Sequence, residues 1–297
     1  MFNNNFMEVI LGYPIGFCEG VKRAFKIAEK ARNENPNKDI YLLGSLVHNE
    51  KVIRDLELEG FHLISFQGKE LEKAICTLSK GSVVIFSAHG HPSFLEDLAK
   101  ERDLIIYDAT CSFVKYNESL IKEAISQNKE VIYIGVKGHA ESEAALSISD
   151  KVHLATKEGF LSFPSIDSDI LVVSQTTMSS EDLLNFEKLI KEKFPLAKFA
   201  SRRCLDASKR QESALLVPIN TDLIIVLGSK TSNNSQKLRE NVKKKYPNIP
   251  SFLVLSPEEV PLEILKNSKK CYLLSGASTS MKDVLETKGY LESLVIK

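Results

Sequence analysis

Gly16-Phe17-Cys18-Glu19-Gly20-Val21, Asp108-Ala109-Thr110-Cys111-Ser112-Phe113 and Ser201-Arg202-Arg203-Cys204-Leu205-Asp206 are the three stretches on which the reading of this chain turns. Their cysteines are equally spaced, 111 − 18 = 93 and 204 − 111 = 93, in a chain of 297 residues. Two equal steps of this length predict three repeated units, each opened by a cysteine. Three thiolates brought together would make a soft-metal site with an open fourth position.

Outward from each cysteine the pattern alternates. Glu8–Leu11 is a short apolar run halted at Gly12-Tyr13-Pro14 and predicts a strand. Val21, Phe25 and Ala28 recur at helical spacing after Cys18, and Asn35-Pro36 ends that helix. Further strands are expected at 40–44, 61–64, 83–90 and 104–107, with helices from about 49 and over 71–80. A helix over 112–128, strands at 130–141 and 169–177 and a helix over 180–193 make a second unit, and strands at 222–235 and 271–278 belong to a third. Apolar strands alternating with helices predict an α/β fold of small parallel sheets covered on both faces. The expected architecture is three pseudo-threefold-related units, 18–110, 111–203 and 204–297, forming a trefoil around a central cavity, with residues 1–17 packing against the third.

Polar loops reinforce the repeat. His48 follows Cys18 by 30 residues, His139 and Glu141 follow Cys111 by 28 and 30, and Ser232 and Asn234 follow Cys204 by 28 and 30. A second loop in each unit holds His89, Thr176 or Ser278. Loops at the carboxyl ends of parallel strands are where such folds place their chemistry. Imidazoles, hydroxyls and amides gathered there can bind a phosphate-type anion, and a carboxyl such as Glu141 in a closed cavity can deliver a proton.

Composition narrows the classes. Lys+Arg and Asp+Glu are 39 each, so no net field draws the chain to nucleic acid or an anionic membrane. No apolar run approaches the ~20 residues that span a bilayer, and MFNNNFMEVI lacks a secretion signal. Five cysteines are too few, and odd in number, for a disulfide scaffold, which favours a reducing, cytoplasmic setting. Cys76 and Cys271 stand outside the 93-residue register and read as small buried hydrophobes; His62 and His153 read as structural, and His91 as facing away from His89. Gly228-Ser229-Lys230-Thr231 fails the phosphate-loop pattern of NTPases. The residues leave two metals open: a cubane iron–sulfur cluster with one free iron, or zinc in a hydrolase with three cysteines and an open position.

Taken end to end, the chain resembles the hydroxymethylbutenyl diphosphate reductase family. The resemblance rests on G-F-C-x-G-V at 16–21, V-H-N at 47–49, F-S-A-H-G at 86–90, D-A-T-C at 108–111, G-H-x-E at 138–141 and S-Q-T-T at 174–177. It continues through Cys204 with Arg210-Gln211-Glu212, G-S-K-x-S-x-N-S at 228–235 and G-A-S at 276–278. It implies a [4Fe-4S] cluster on Cys18, Cys111 and Cys204, and a diphosphate among His48, His89, His139, Ser232, Asn233, Asn234 and Ser278. It also implies that Thr176 orients the substrate hydroxyl, that Glu141 and His139 serve catalysis, and that a flavodoxin or ferredoxin supplies single electrons. The implied reaction is two-electron reductive dehydroxylation of an allylic diphosphate. Ala140 stands where that family usually has proline, which predicts a looser aim for Glu141, and Asn233 replaces a common serine. A non-catalytic member that only binds a diphosphate or a partner is the rival from another class.

Overall fold

Five consecutive residues, Leu223–Leu227, are all buried, and their side chains divide between two cores. Leu223, Ile225 and Leu227 face one and Ile224 and Val226 the other, as a strand covered on both sides requires. This sets the style of the whole molecule. The computed structural model describes residues 6–44, 46–64, 69–160, 162 and 169–295.

Thirteen described strands form three sheets. The first joins β1 (Glu8–Leu11), β11 (Leu223–Leu227), β12 (Ser251–Val254) and β13 (Lys270–Ser275) in the order β12-β11-β13-β1. The second joins β6 (Glu130–Ile134), β7 (Val152–Thr156), β8 (Gly159–Phe160), β9 (Ile170–Ser174) and β10 (Lys198–Phe199) in the order β8-β7-β6-β9-β10. The third joins β2 (Ile40–Leu43), β3 (Phe61–Ile64), β4 (Val83–Phe86) and β5 (Ile105–Asp108) in the order β3-β2-β4-β5. All pairings within these sheets are parallel except β7 with β8, a short antiparallel hairpin that the sequence pattern does not announce. Helices α1 (Glu19–Glu34), α2 (Glu50–Leu58), α3 (Lys69–Thr77), α4 (Phe94–Glu101), α5 (Ser112–Ser126), α6 (Ala140–Leu146), α7 (Ser180–Lys193), α8 (Leu205–Ala214), α9 (Asn233–Lys245), α10 (Leu262–Asn267) and α11 (Met281–Ser293) alternate with the strands.

Each sheet shares one plan. A first strand (β2, β6, β11) and a later one (β4, β9, β13) are neighbours at the centre, and an edge strand (β5, β10, β1) flanks the later one. The chain leaves the central pair in opposite directions, so the crevice outside their carboxyl ends is a topological switch point. In the first sheet the edge place is taken by β1, in parallel register Glu8↔Lys270 to Leu11↔Leu273 with β13.

The chain forms two compact units: Met1–Val21 with His48–Arg54 and Leu205–Lys297, and Lys22–Val47 with Asp55–Cys204. The first is built on the β1/β11/β12/β13 sheet, whose core includes Val9, Ile225, Leu273 and Val284 on one face and Val226, Leu238 and Leu274 on the other. The second holds the other two sheets, with cores around Val84, Phe86 and Leu95 and around Ile132, Val172 and Phe186. No described helix is long and apolar enough to cross a membrane.

Candidate functional site

Every cysteine of the 93-residue register follows an edge strand and stands immediately before a helix: Cys18 before α1, Cys111 as the N-cap of α5, Cys204 before α8. Two contacts hold each one. The backbone N–H of Cys18 donates to Ala277 O, that of Cys111 to Ala88 O and that of Cys204 to Thr176 O, all at 3.0 Å. These acceptors lie in or beside the second polar loop of each sheet, next to Ser278 and His89 or at Thr176 itself.

The second contact comes from a polar side chain one and a half turns into the helix that follows another of the three cysteines. Arg23 Nη1 donates to Thr110 O at 2.5 Å, fixing the backbone before Cys111. Asn117 Nδ2 donates to Arg202 O at 3.3 Å and its Oδ1 accepts from Arg202 N at 2.8 Å, two residues before Cys204. Arg210, 1% exposed, donates from Nη2 to Gly16 O at 2.7 Å, two residues before Cys18, and from Nη1 to Ser275 O at 3.0 Å. Asp206 accepts from Arg210 Nε at 2.5 Å, so the buried guanidinium is paired. The sequence marks only Arg210 among these braces, as part of a motif without a role. The braces differ in side-chain type, so periodicity alone does not reveal them.

These cysteines form no disulfide among the described residues and are half-buried. Helix N-termini favour thiolate over thiol, and the Val21 N–H points at Cys18 Sγ at 3.4 Å. Burial nonetheless raises the Cys18 pKa, opposed by the Val21 and Gly20 amides. A soft cation must therefore displace a proton there, as thiolate ligands ordinarily require. Sulfur donors of this kind suit an iron–sulfur cluster or zinc. Among the described residues of neither unit are three His, Cys, Asp or Glu side chains gathered closely enough to hold a metal ion alone.

The second unit carries the acid. His139 is the N-cap of α6, its Nδ1 accepting from Glu141 N at 3.2 Å, so the ring's proton is assigned to Nε2. Glu141, 4% exposed, accepts from Thr176 N at 2.8 Å and Thr176 Oγ1 at 3.1 Å. Burial pushes the Glu141 carboxyl up to about 7, against the opposing pull of the Thr176 and Tyr133 contacts. Thr176 thus touches the acid with its side chain and amide and Cys204 with its carbonyl. His89 lies edge-on to His139, ring centroids 6.0 Å apart. Ala140 is the first residue of α6, and the two Thr176 bonds aim Glu141 without a proline.

The first unit carries neutral anion donors. Ser278 Oγ donates to His48 O at 2.9 Å, and Asn49 Nδ2 donates to Ser278 O at 2.8 Å, stapling two polar loops together. Burial lowers the His48 pKa despite Glu50, so its imidazole is a neutral donor. Ser229 Oγ and Thr231 Oγ1 donate to Glu50 Oε1 at 2.9 and 3.1 Å. Ser232 is the N-cap of α9, Asn233 opens that helix half-buried, and Asn234 follows. Both amide atoms of Asn234, 8% exposed, are sealed from water without a partner. An orphaned amide at the positive end of a thirteen-residue helix fits an anion. The close seat of this helix depends on glycine: a Cβ on Gly228 would lie 2.5 Å from Ser235 Oγ.

The α6 and α9 starts were hidden in the sequence, because their caps, His139 and Ser232, sit in polar, glycine-bearing runs after strands that read as loop. His91 stacks on Phe86 at 3.7 Å and bonds Glu96 at 3.0 Å. His62 pairs with Asp39, and His153 bonds Glu130. Cys271 is buried, its thiol pushed up to about 12 by desolvation. Cys76 departs from the expectation: it is exposed, on the outer face of α3.

The profile of the LytB protein family matches residues 9–292. A 4-hydroxy-3-methylbut-2-enyl diphosphate reductase of Bacillus cytotoxicus is 37% identical over 96% of this chain and 90% of its own length. That of Lysinibacillus sphaericus is 35% identical over 96% and 88%. The solved structure of the Plasmodium falciparum reductase superposes with a TM-score of 0.83 at 29% identity, covering 96% of this chain and 88% of that one. A second, described as the terminal enzyme of the non-mevalonate pathway, gives 0.68 at 26% identity over 97% and 100%. With the family profile spanning nearly the whole chain and the α/β fold shared, the chain belongs to the LytB family.

Proposed function

We propose that the chain is an iron–sulfur reductase that converts 4-hydroxy-3-methylbut-2-enyl diphosphate to isopentenyl and dimethylallyl diphosphate by two-electron reductive dehydroxylation. The observation that carries this reading is Thr176, which grips the raised-pKa acid Glu141 and accepts the amide of Cys204. Cys18, Cys111 and Cys204 are the ligands for a [4Fe-4S] cluster, which when bound supplies single electrons and a Lewis-acidic iron. Ser232, Asn233, Asn234, Ser278 and His48, with His89 and His139, take the diphosphate. Neutral donors and a helix N-terminus suit such a ligand without a lysine cluster. Thr176 orients the hydroxyl that leaves, and Glu141 gives it a proton so that it departs as water. His139 keeps Glu141 in place through the α6 N-cap. A small one-electron protein such as a flavodoxin or ferredoxin delivers the electrons, and a cytoplasmic setting keeps the thiols reduced.

The test is anaerobic reduction of that diphosphate by protein reconstituted with iron and sulfide, using a chemical reductant. Isopentenyl and dimethylallyl diphosphate are the expected products. A colourless protein holding one zinc and making neither would overturn the proposal.

A further inference from the structure

Glu118, on α5, lines a surface cavity of about 270 Å³ with His91, Glu96, Asp108, Lys115 and Lys122. Its Oε1 is fully buried and accepts no hydrogen bond. That oxygen rests where Gly90 lacks a side chain: a Cβ there would lie 3.1 Å from it, 3.0 Å from Val114 Cγ1 and 3.5 Å from Ala144 Cβ. Ala144 lies on α6 three residues after Glu141, on the same helix face. The Glu118 charge is felt at Glu141 and at the buried Tyr133, which also faces Glu141. Burial pushes Glu118 up to about 7; Lys122 and Lys115 oppose this, and Asp108 and Glu96 reinforce it. Lys115 is meanwhile paired with Asp108. An unpaired buried carboxyl oxygen is costly to a fold that gains nothing from it.

The reaction supplies a use. Replacing C–OH by C–H takes two electrons and two protons and releases one water. Glu141 is sealed from solvent, and after giving one proton it is a carboxylate that must be recharged. We propose that Glu118 recharges it through a bridging water. The Glu118 O–H bond breaks as an O–H bond forms on the water, and the water gives one of its own protons to the Glu141 carboxylate. The Glu118 carboxylate is reprotonated from bulk solvent through the cavity, hydronium supplying the proton. This rests on Glu141 being the acid.

The test uses reconstituted protein with a one-electron chemical reductant. Glu118→Gln is expected to lower kcat about tenfold with KM unchanged, less than loss of a direct acid. Its solvent deuterium isotope effect on kcat should rise, and formate, small enough for the cavity, should restore turnover about threefold. Glu118→Asp, still an acid, should retain most of the parent rate. In metal-free protein, carbon-13 NMR of the glutamate carboxyls should show Glu141 titrating lower in Glu118→Gln, because a like charge is gone. A parental kcat and isotope effect in Glu118→Gln overturns the relay. So does equal loss in the Gln and Asp variants with no formate rescue, which marks a packing role. If Glu141→Gln keeps its turnover, the reading of the acid fails and the relay with it. An inactive Glu141→Gln beside an unimpaired Glu118→Gln removes the relay alone.

Discussion

Arg210 in the first compact unit and Asn117 in the second stand at the same place, six residues after a cysteine, and perform the same task. Each ties its helix to the backbone two residues before another cysteine. Arg210 does so as a buried cation shared among Gly16 O, Ser275 O and Asp206, whereas Asn117 uses a neutral amide with both its atoms satisfied. The difference follows the loads of the units. The first gathers neutral donors around an orphaned amide and a helix N-terminus, so positive polarity suits it. The second buries carboxyls whose pKa values are raised to about 7 and braces Arg202 through a neutral amide, although its other brace, Arg23 on Thr110 O, is a cation. One backbone frame is thus repeated, with braces of different side-chain type: Arg23, Asn117 and Arg210.

The hardest strike at this comparison is Glu141→Gln. If the second unit is the acid half, turnover of the reconstituted protein should fall by about 10² to 10⁴ while the cluster absorption and substrate binding persist. Retained turnover would leave the two halves undistinguished. Next are the braces. Arg210→Ala abandons Asp206 and several buried carbonyls and should cost about 3–5 kcal/mol, whereas Asn117→Ala should cost about 1–3 kcal/mol, both by urea unfolding. Equal costs would mean that the buried charge carries no special weight.

A third prediction turns on pH. Glu118 has an ordinary pKa of 4.5 and about 7 in the fold, so between these values the folded state holds a proton the unfolded chain has lost. Stability therefore falls as pH rises through this window and levels beyond it. Glu118→Gln removes that loss, and its gain over the parent should be on the order of 3 kcal/mol larger at pH 8 than at pH 4. A gain independent of pH would show the carboxyl to be ordinary. The smallest effect is expected from Ala140→Pro. Proline suits the first position of a helix and should add about 0.5 kcal/mol by stiffening the unfolded chain, with turnover unchanged because Thr176 already aims Glu141.

Much of the site was legible beforehand, since ligand-type residues after apolar strands betray themselves by kind and spacing. What escaped was of two sorts. The starts of α6 and α9 escaped because Ser232 and His139 serve both as caps and as donors, and such residues look like loop. The braces and the Glu118 carboxyl escaped because their meaning is a contact far along the chain, such as Arg210 with Gly16, 194 positions away. Cys76 shows the converse: a helical, non-register cysteine read as buried is exposed, since amphipathic spacing does not say how far a face turns in.

By itself, the sequence determined the alternation of strand and helix, the equal spacing of Cys18, Cys111 and Cys204, and the polar loops between them, because these follow from local pattern and residue kind. The sequence also places residues 1–17 with the third unit. Tertiary structure alone decided that β1 pairs with β13 in parallel register, that each cysteine amide meets a carbonyl of a second polar loop, and that two carboxyls are pushed up to about 7. Pairing partners and desolvation are properties of what surrounds a group in space, and no stretch of chain carries them alone.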